Sequence, residues 1–159
     1  MWNRPRIAVF GVTPLSLLLG RACCLADNPP VGVYDENESS ALEGALCLGV
    51  SARREPNDLN PDSLPLQVAI FGTESATQAL DSLYPIDNLL IITLFDWTGS
   101  QPASACSAIP IHTGDPSVYT NTISAGVPEM TFDLKGSDAK KQAAQEFLNG
   151  LSCNIRFEN

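Results

Sequence analysis

The first half of the chain alternates short, continuously apolar runs with segments that carry apolar residues at helical spacing. The runs 7–10 (IAVF) and 31–34 (VGVY) predict two β-strands, each followed by a helix. Thr13 is a candidate N-cap, and Pro14 occupies the first helical position, where its missing N–H costs no hydrogen bond. The first helix is predicted to continue to Ala26, and a second, weaker helix spans 39–48.

The middle of the chain contains two apolar runs rich in β-branched residues, 66–71 (LQVAIF) and 89–95 (LLIITLF). Strands that are apolar on both faces are covered on both faces, which is typical of a central parallel sheet with helices on each side. A helix is predicted between them over 75–83. A third short strand is predicted over 49–52, and the polar, proline-rich segment 53–65 predicts a loop.

The C-terminal third shows a different pattern. Apolar and polar residues alternate in 130–135 and again in 153–158, which predicts strands with one wet face, at a sheet edge or in an antiparallel extension. Between them Ser137 is a candidate cap for a helix that Gly150 ends. The segment 107–111 precedes this part of the chain and has no assigned element.

This order of elements predicts a doubly wound α/β domain, with a mostly parallel sheet of the Rossmann type and antiparallel or edge strands at the C-terminal end. A chain of 159 residues is long enough for one such core, so we expect residues 1–159 to form a single domain.

Composition narrows the classes of partner and cofactor. The formal net charge of −9 argues against nucleic acid, because an acidic surface repels a phosphate backbone. The chain has five cysteines, no C-x-x-C pair and one histidine, so we expect no metal site. Three of the cysteines, at positions 23, 47 and 153, lie in apolar runs, which favours buried, reduced thiols in a cytoplasmic protein. His112 is either a general acid/base or an ordinary loop residue, and no catalytic residue is predicted.

The N-terminus allows a second interpretation. Arg4 and Arg6, the apolar segment 7–20 and the small-residue end RACCLA resemble a secretory signal peptide, which predicts a secreted or lipid-anchored protein. A proline and a serine inside the segment, and Arg21 close to any cleavage site, argue against this interpretation. The segment is also shorter than the roughly 20 residues that span a membrane, so no membrane association is expected.

The turn after the first strand is where a dinucleotide-binding domain has the sequence G-x-G-x-x-G. Gly11 matches the first glycine, but Thr13 and Ser16 replace the second and third. Thr13 puts a Cβ where the pyrophosphate approaches the backbone, Pro14 lacks an N–H, and a capping Thr13 hydroxyl would occupy the amide of Leu15 or Ser16. The turn formed by these five residues is therefore either a modified cofactor site or simply a well-capped helix start.

Asp35 and Glu36 follow the second strand, at the distance where dinucleotide-binding domains place a ribose-binding acidic residue. Two carboxylates there accept hydrogen bonds from both hydroxyls of an adenine ribose and repel a 2′-phosphate, which favours NAD over NADP. The segment YDENESS is equally typical of an acidic surface turn that caps the next helix through Asn37 or Ser39.

Two further turns, FGTES and FDWTGS, are expected to reach the same edge of the sheet and to line one crevice with the first turn. Their candidate cofactor contacts are Gly72, Thr73, Trp97, Thr98 and Gly99. Glycine, serine and threonine are also the usual residues of strand-to-helix turns, so an ordinary turn explains these segments as well.

Five segments together resemble the Rossmann-like N-terminal domain of the 6-phosphogluconate-dehydrogenase-like superfamily, in particular its branch of uncharacterised proteins and NADP oxidoreductases. They span nearly the whole chain and are RIAVFG, VAIFGTESATQAL, FDWTGS, SAIPIHTGD and VPEMTFDLKGSDAKKQAAQEFLNGL. The third stands where the family has a His- or Asn-led turn, and the fourth stands in place of a Ser-Leu-His-Pro-Leu-Gln segment. The last, a strand, turn and helix, is the most specific.

The resemblance implies an oxidoreductase ancestry and NAD or NADP as cofactor. The family's histidine falls on Ile109 and its glutamine on His112, so no catalytic residue is carried over. Such dehydrogenases complete the active site with a helical second domain, which usually supplies the dimer interface as well, and Asn159 is where that domain would begin. An incomplete active site is therefore expected.

Two functions are consistent with these observations. The first is a domain that binds NAD or NADP between the four turns and needs a partner subunit or a second domain for hydride chemistry. The second is a non-catalytic Rossmann-like module without a cofactor, which associates in a homodimer or with a partner subunit through the exposed edge of its C-terminal strands.

Overall fold

The apolar runs form the strands of one sheet, and the helical patterns form helices packed on it. The computed structural model describes residues 5–53, 66–82, 89–97, 105–113, 130–151 and 155–158. The strands in these ranges are β1 (Ile7–Phe10), β2 (Gly32–Tyr34), β3 (Ala52–Arg53), β4 (Val68–Phe71), β5 (Leu90–Thr93), β6 (Ala105–Thr113), β7 (Met130–Lys135) and β8 (Ile155–Phe157). The helices are α1 (Pro14–Leu25), α2 (Glu38–Leu48), α3 (Asp138–Asn149) and a 3₁₀-helix, Ser75–Ser82. None of the helices in the described ranges has the length and apolar character of a membrane span.

The strands lie in the order β3-β2-β1-β4-β5-β6-β7-β8. Every neighbouring pair is parallel except β6 and β7, which are antiparallel. The order of the first six strands is that of a Rossmann-type domain, in which the order reverses between β1 and β4. The predicted fold class is therefore confirmed. The ends of β1, β2 and β4 lie side by side at one border of the sheet, called the carboxyl edge below.

Both faces of the sheet are buried at its centre, where every residue of β1 and β4 is apolar and buried. One face packs against α1 and α3 through residues such as Leu18 and Leu148. On the other face Phe10 stacks on Phe71, with ring centroids 4.8 Å apart and an interplanar angle of 13°. The N-terminal segment with the signal-peptide pattern forms a central strand and a core helix of the domain.

The third strand begins later than predicted, because Gly49 and Val50 end α2. Gly49 has a φ of 70°, a left-handed conformation that favours glycine, and is the C-cap of α2. The Val50 amide donates to the Ala45 carbonyl at 3.0 Å. Only Ala52–Arg53 is left to form β3.

The helix predicted over 75–83 is a 3₁₀-helix and not an α-helix. The Thr77 amide donates to the Glu74 carbonyl at 3.1 Å, which is i→i−3 spacing, and the Thr77 hydroxyl donates to the same carbonyl at 2.6 Å. Serine and threonine side chains compete for backbone groups in this way and disfavour the α-helix. Leu83 and residues 54–65 of the predicted loop lie outside the described residues.

β6 is a strand that the sequence pattern missed. Pro110 disfavours a strand, because proline cannot donate to the ladder. The sheet accommodates it with a shift of register between Pro110 and His112, which interrupts the pairing with β7.

The described strands β7 and β8 follow the alternating pattern predicted for this end of the chain. Met130, Phe132 and Leu134 of β7 are buried, and the residues between them are more exposed. β7 is the antiparallel neighbour of β6, and β8 is an edge strand. Ser137 caps α3 as predicted, with its hydroxyl accepting from the Lys140 amide at 3.3 Å.

The cysteines of the described residues are free thiols. Cys23 is buried, as predicted, whereas Cys47 is only half-buried, because α2 packs mainly through its small residues on another side. Cys153 lies outside the described residues. Burial raises the pKa of the Cys106 thiol above its ordinary value of 9.0, and the charge of Lys141 offsets only part of that effect.

Replacing Phe10 with alanine tests the aromatic stack of the core. We expect Phe10→Ala to lower the free energy of unfolding by about 3–5 kcal/mol, because a fully buried ring is removed. Leu46→Ala is the control, since Leu46 is 80% exposed and its loss should cost less than about 0.5 kcal/mol. Urea unfolding followed by circular dichroism measures both, and a Phe10→Ala effect no larger than the control's would contradict this core.

The raised pKa of Cys106 predicts a loss of stability at alkaline pH. A group whose pKa is higher in the folded state contributes stability that is complete below its unfolded pKa and is lost as the pH rises through the folded pKa. We therefore expect the free energy of unfolding to fall above pH 9.0, and Cys106→Ala to show a smaller fall. Urea unfolding at a series of pH values measures this. The same fall in both proteins would show that Cys106 is not its source.

Candidate functional site

The end of β1 approaches the end of β4 so closely that neither Gly11 nor Gly72 could carry a side chain. Gly11 has a φ of 86°, and a Cβ there would lie 2.5 Å from Thr73 Oγ1. A Cβ on Gly72 would lie 2.9 Å from Ser16 Cβ and against the Gly11 carbonyl oxygen. The Gly72 amide donates to the Phe10 carbonyl at 2.8 Å. The structure thus brings Gly11, Gly72 and Thr73 together at the carboxyl edge.

A reciprocal capping box closes the turn from β1 into α1. Thr13 Oγ1 accepts from the Ser16 amide at 3.1 Å, and Ser16 Oγ accepts from the Thr13 amide at 2.9 Å. The Ser16 hydroxyl is buried and donates to the Gly11 carbonyl at 2.9 Å. The prediction that a capping Thr13 hydroxyl occupies the amide of Leu15 or Ser16 is confirmed, with Ser16 as the donor.

Asp35 joins the turn after β2 to the turn after β1. Its Oδ2 accepts from the Val12 amide at 2.8 Å, and its Oδ1 accepts from the Asn37 amide at 2.8 Å. Asn37 in turn caps α2 by accepting from the Ser40 amide at 3.1 Å. Of the two predicted caps, Asn37 is the one that the structure uses.

These contacts occupy most of the backbone donors of the first turn. The Val12 amide is bonded to a carboxylate, the amides of Thr13 and Ser16 are bonded to each other's hydroxyls, and Pro14 has no N–H. The half-buried Leu15 lies at the second helical position, where a backbone N–H has no partner within the helix. One free amide is therefore what this turn offers to an anion.

A cavity of about 200 Å³ opens between the ends of β2 and β4. Its described lining contains two carboxylates, an amide, two hydroxyls and a methyl group, and no basic side chain. The lining residues are Asp35, Glu36, Asn37, Thr73, Ser75 and Ala76. This composition supplies acceptors for hydroxyl groups and repels anions.

Arg53 is the basic residue in register with the end of β2, where it pairs with Tyr34. Its Nε is buried and has no hydrogen-bond partner among the described residues. Arg53 does not line the cavity.

Of the remaining cofactor candidates, the described Trp97 does not line the cavity. Trp97 is half-buried and packs on the face of the core that contains Phe10 and Phe71. Thr98 and Gly99 lie outside the described residues, and the backbone of His112 belongs to β6. Within the described ranges, no group of His, Cys, Asp and Glu side chains could hold a metal ion.

Sequence reasoning missed Val12, Asn37 as a lining residue, Ser75 and Ala76. The Asp35–Asn37 contact has a local signal, because an aspartate commonly accepts from the amide two residues on. The Val12–Asp35 contact has no local signal, since the two residues meet only through the parallel pairing of β1 with β2.

Comparison with known proteins identifies the fold. No protein-family model matches the sequence, and no curated protein matches it. Solved structures do match: a putative NADP oxidoreductase from Bacteroides fragilis (TM-score 0.67, 18% identity, 98% of this chain and 60% of that one) and an imine reductase from Pseudomonas sp. (TM-score 0.59, 16% identity, 98% and 55%). A third is a prephenate dehydrogenase from A. aeolicus in complex with hydroxyphenyl propionate and NAD+ (TM-score 0.66, 9% identity, 99% and 61%).

At these identities the likeness shows a shared Rossmann-like fold. The matches cover nearly all of this chain, but the chain spans only about three fifths of the length of the oxidoreductases that it matches.

Removing the Asp35 carboxylate tests whether it holds the two turns together. We expect Asp35→Ala to lower the free energy of unfolding by about 1–3 kcal/mol, because two amides lose a charged acceptor and the Val12 amide is partly buried. Glu36→Ala is the matched control, since Glu36 is exposed and its loss should cost less than about 0.5 kcal/mol. Urea unfolding measures both free energies. Equal effects of the two substitutions would show that Asp35 does not hold the two turns together.

Proposed function

We propose that the chain is a nucleotide-binding domain related to NAD(P)-dependent oxidoreductases, which holds a nicotinamide dinucleotide by its adenosine ribose and prefers NAD to NADP. The observation that carries the proposal is the acidic cavity at the carboxyl edge, between the ends of β2 and β4. In open α/β sheets of this topology, ligands bind at the carboxyl edge, next to the point where the strand order reverses.

The carboxylates of the cavity suit a ribose. Each oxygen of Asp35 already accepts one backbone N–H, but a carboxylate oxygen has two lone pairs, so each can accept a ribose hydroxyl as well. Glu36 is exposed beside it, and Thr73 and Ser75, which follow β4, add hydroxyl groups to the lining. These groups could orient both hydroxyls of one ribose.

The same carboxylates disfavour the additional phosphate of NADP. Two unit charges 4 Å apart repel each other by about 1 kcal/mol even in water, and a 2′-phosphate would face two carboxylates. The described lining provides no cation to offset this repulsion. A preference of about tenfold or more for NAD follows from roughly 1.4 kcal/mol.

Hydride transfer is proposed to require groups outside this site. The candidate residues at the carboxyl edge are proposed to bind and orient the cofactor. The oxidoreductases with this fold are longer, so a second domain or a partner subunit is the proposed source of the catalytic residues. The free cysteines of the described residues favour the reducing cytoplasm as the compartment.

The closed first turn favours a second candidate function, a non-catalytic module without a cofactor. Its amides are used internally, as in a helix start that binds nothing. Such a module could associate with another subunit through β8, which among the described strands pairs only with β7.

Isothermal titration calorimetry with NAD+ and NADP+ tests the proposal. We expect NAD+ to bind at least tenfold more tightly than NADP+, because the 2′-phosphate meets Asp35 and Glu36. Glu36→Gln should narrow the ratio by removing one charge. Glu146→Gln on α3, which removes a charge outside this cavity, should leave the ratio unchanged.

Absence of heat with either cofactor at millimolar concentration would overturn the proposal and favour the cofactor-free module. Tighter binding of NADP+ would contradict the proposed preference. If Arg53→Met then removed that advantage, the guanidinium of Arg53 at the end of β3 would be its source.

A further inference from the structure

We infer that the cavity at the carboxyl edge recognises the nucleoside part of its ligand and not its phosphates, so that an uncharged adenine riboside binds at least as tightly as the corresponding nucleotide. The inference rests on the proposed function, since it concerns the ligand chemistry of the same site.

Most backbone donors of the first turn are already hydrogen-bonded within the protein. A Rossmann turn holds a pyrophosphate with N–H groups that have no other partner. Here a phosphate oxygen could reach the Val12 amide only by displacing a carboxylate at 2.8 Å, and the Thr13 amide only by displacing a hydroxyl at 2.9 Å. Each new bond would replace an existing one, so these amides contribute little net affinity. Within this turn the Leu15 amide, which has no partner within the helix, is the donor that could bond a phosphate without such a replacement.

The negative charge of the cavity lining disfavours a phosphate. A phosphate attached to a ribose in this cavity lies near Asp35 and Glu36, and no lysine or arginine is part of the described lining. The repulsion acts over several ångströms and is screened by salt, with a Debye length of about 8 Å at physiological ionic strength. A nucleoside without a phosphate avoids this repulsion.

The volume of the cavity limits how much of a ligand it can hold. Pockets for drug-sized ligands are about 300–1,000 Å³, whereas this cavity is about 200 Å³. Because the cavity is smaller than that range, most of a dinucleotide bound there would lie outside it. The Ala76 methyl group offers an apolar contact, and the surrounding oxygens accept from ribose hydroxyls.

Calorimetry of the full chain with adenosine and with AMP, at about 50 and 500 mM NaCl, tests the inference. Adenosine is expected to bind with the same Kd at both salt concentrations, because it is uncharged. AMP is expected to bind at least about fivefold more weakly at low salt and to approach adenosine at high salt, because salt screens the repulsion. AMP binding more tightly than adenosine at low salt would overturn the inference.

Restoring the glycine fingerprint provides a second test. The double substitution Thr13→Gly and Ser16→Gly removes the capping hydroxyls and so releases the amides at positions 13 and 16 from them. AMP affinity should rise about tenfold or more, with adenosine affinity changed less than about twofold. Ser137→Gly is the control, because it removes the cap of α3 outside the site and should change neither affinity.

The outcomes separate the inference from the proposed function. If NAD+ binds but adenosine does not, or if the restored glycines leave AMP affinity unchanged, the inference fails and the proposed function stands. If neither NAD+ nor adenosine binds, both fail. If the double variant does not fold, the salt dependence of AMP binding to the unaltered chain decides alone.

Discussion

The close approach of β1 and β4 fixes the geometry of the whole carboxyl edge. At Gly11 and Gly72 the segments that follow β1 and β4 leave the sheet with backbone against backbone. A Cβ on either glycine would clash with the other segment. The positive φ of Gly11 directs the chain into α1, so that Ser16 packs beneath Gly72. The capping box and the position of Thr73 follow from this contact, and the parallel register of β1 with β2 brings Asp35 to the first turn.

The hydrogen bonds that stabilise the first turn are also the ones that a phosphate would make. A buried or half-buried amide needs a partner, and here the Thr13, Ser16 and Asp35 side chains provide it within the protein. The fold therefore determines where a ligand would lie, and the side chains of the turn determine which ligand chemistry is left. What is left is a small acidic cavity suited to hydroxyl groups.

The sequence predicted the fold well where the physical signal is local or periodic. Continuous apolar runs identified β1 and β4, alternation identified β7, and Thr13 with Pro14 identified the start of α1. It missed β6, because Pro110 contradicts a strand unless the partner strand supplies a register shift, and that is a property of the pair. Gly49 was misassigned for a similar reason, since the same residue can open a strand or cap a helix.

The site was predictable in part. Gly11, Asp35, Gly72 and Thr73 follow from the Rossmann topology, which places strand ends at one edge. The bond from the Val12 amide to Asp35 depends on the register of β1 with β2, which no short motif encodes. The sequence alone therefore leaves the Val12 amide free to bind a phosphate, whereas in the structure Asp35 occupies it.

The most direct test of a ribose held at the carboxyl edge is an NMR titration of the ¹⁵N-labelled chain with NAD+. We expect the largest amide shifts at Glu36, Asn37, Thr73 and Ser75, with α3 unaffected. Shifts confined to other parts of the chain, or no shifts at millimolar NAD+, would contradict it.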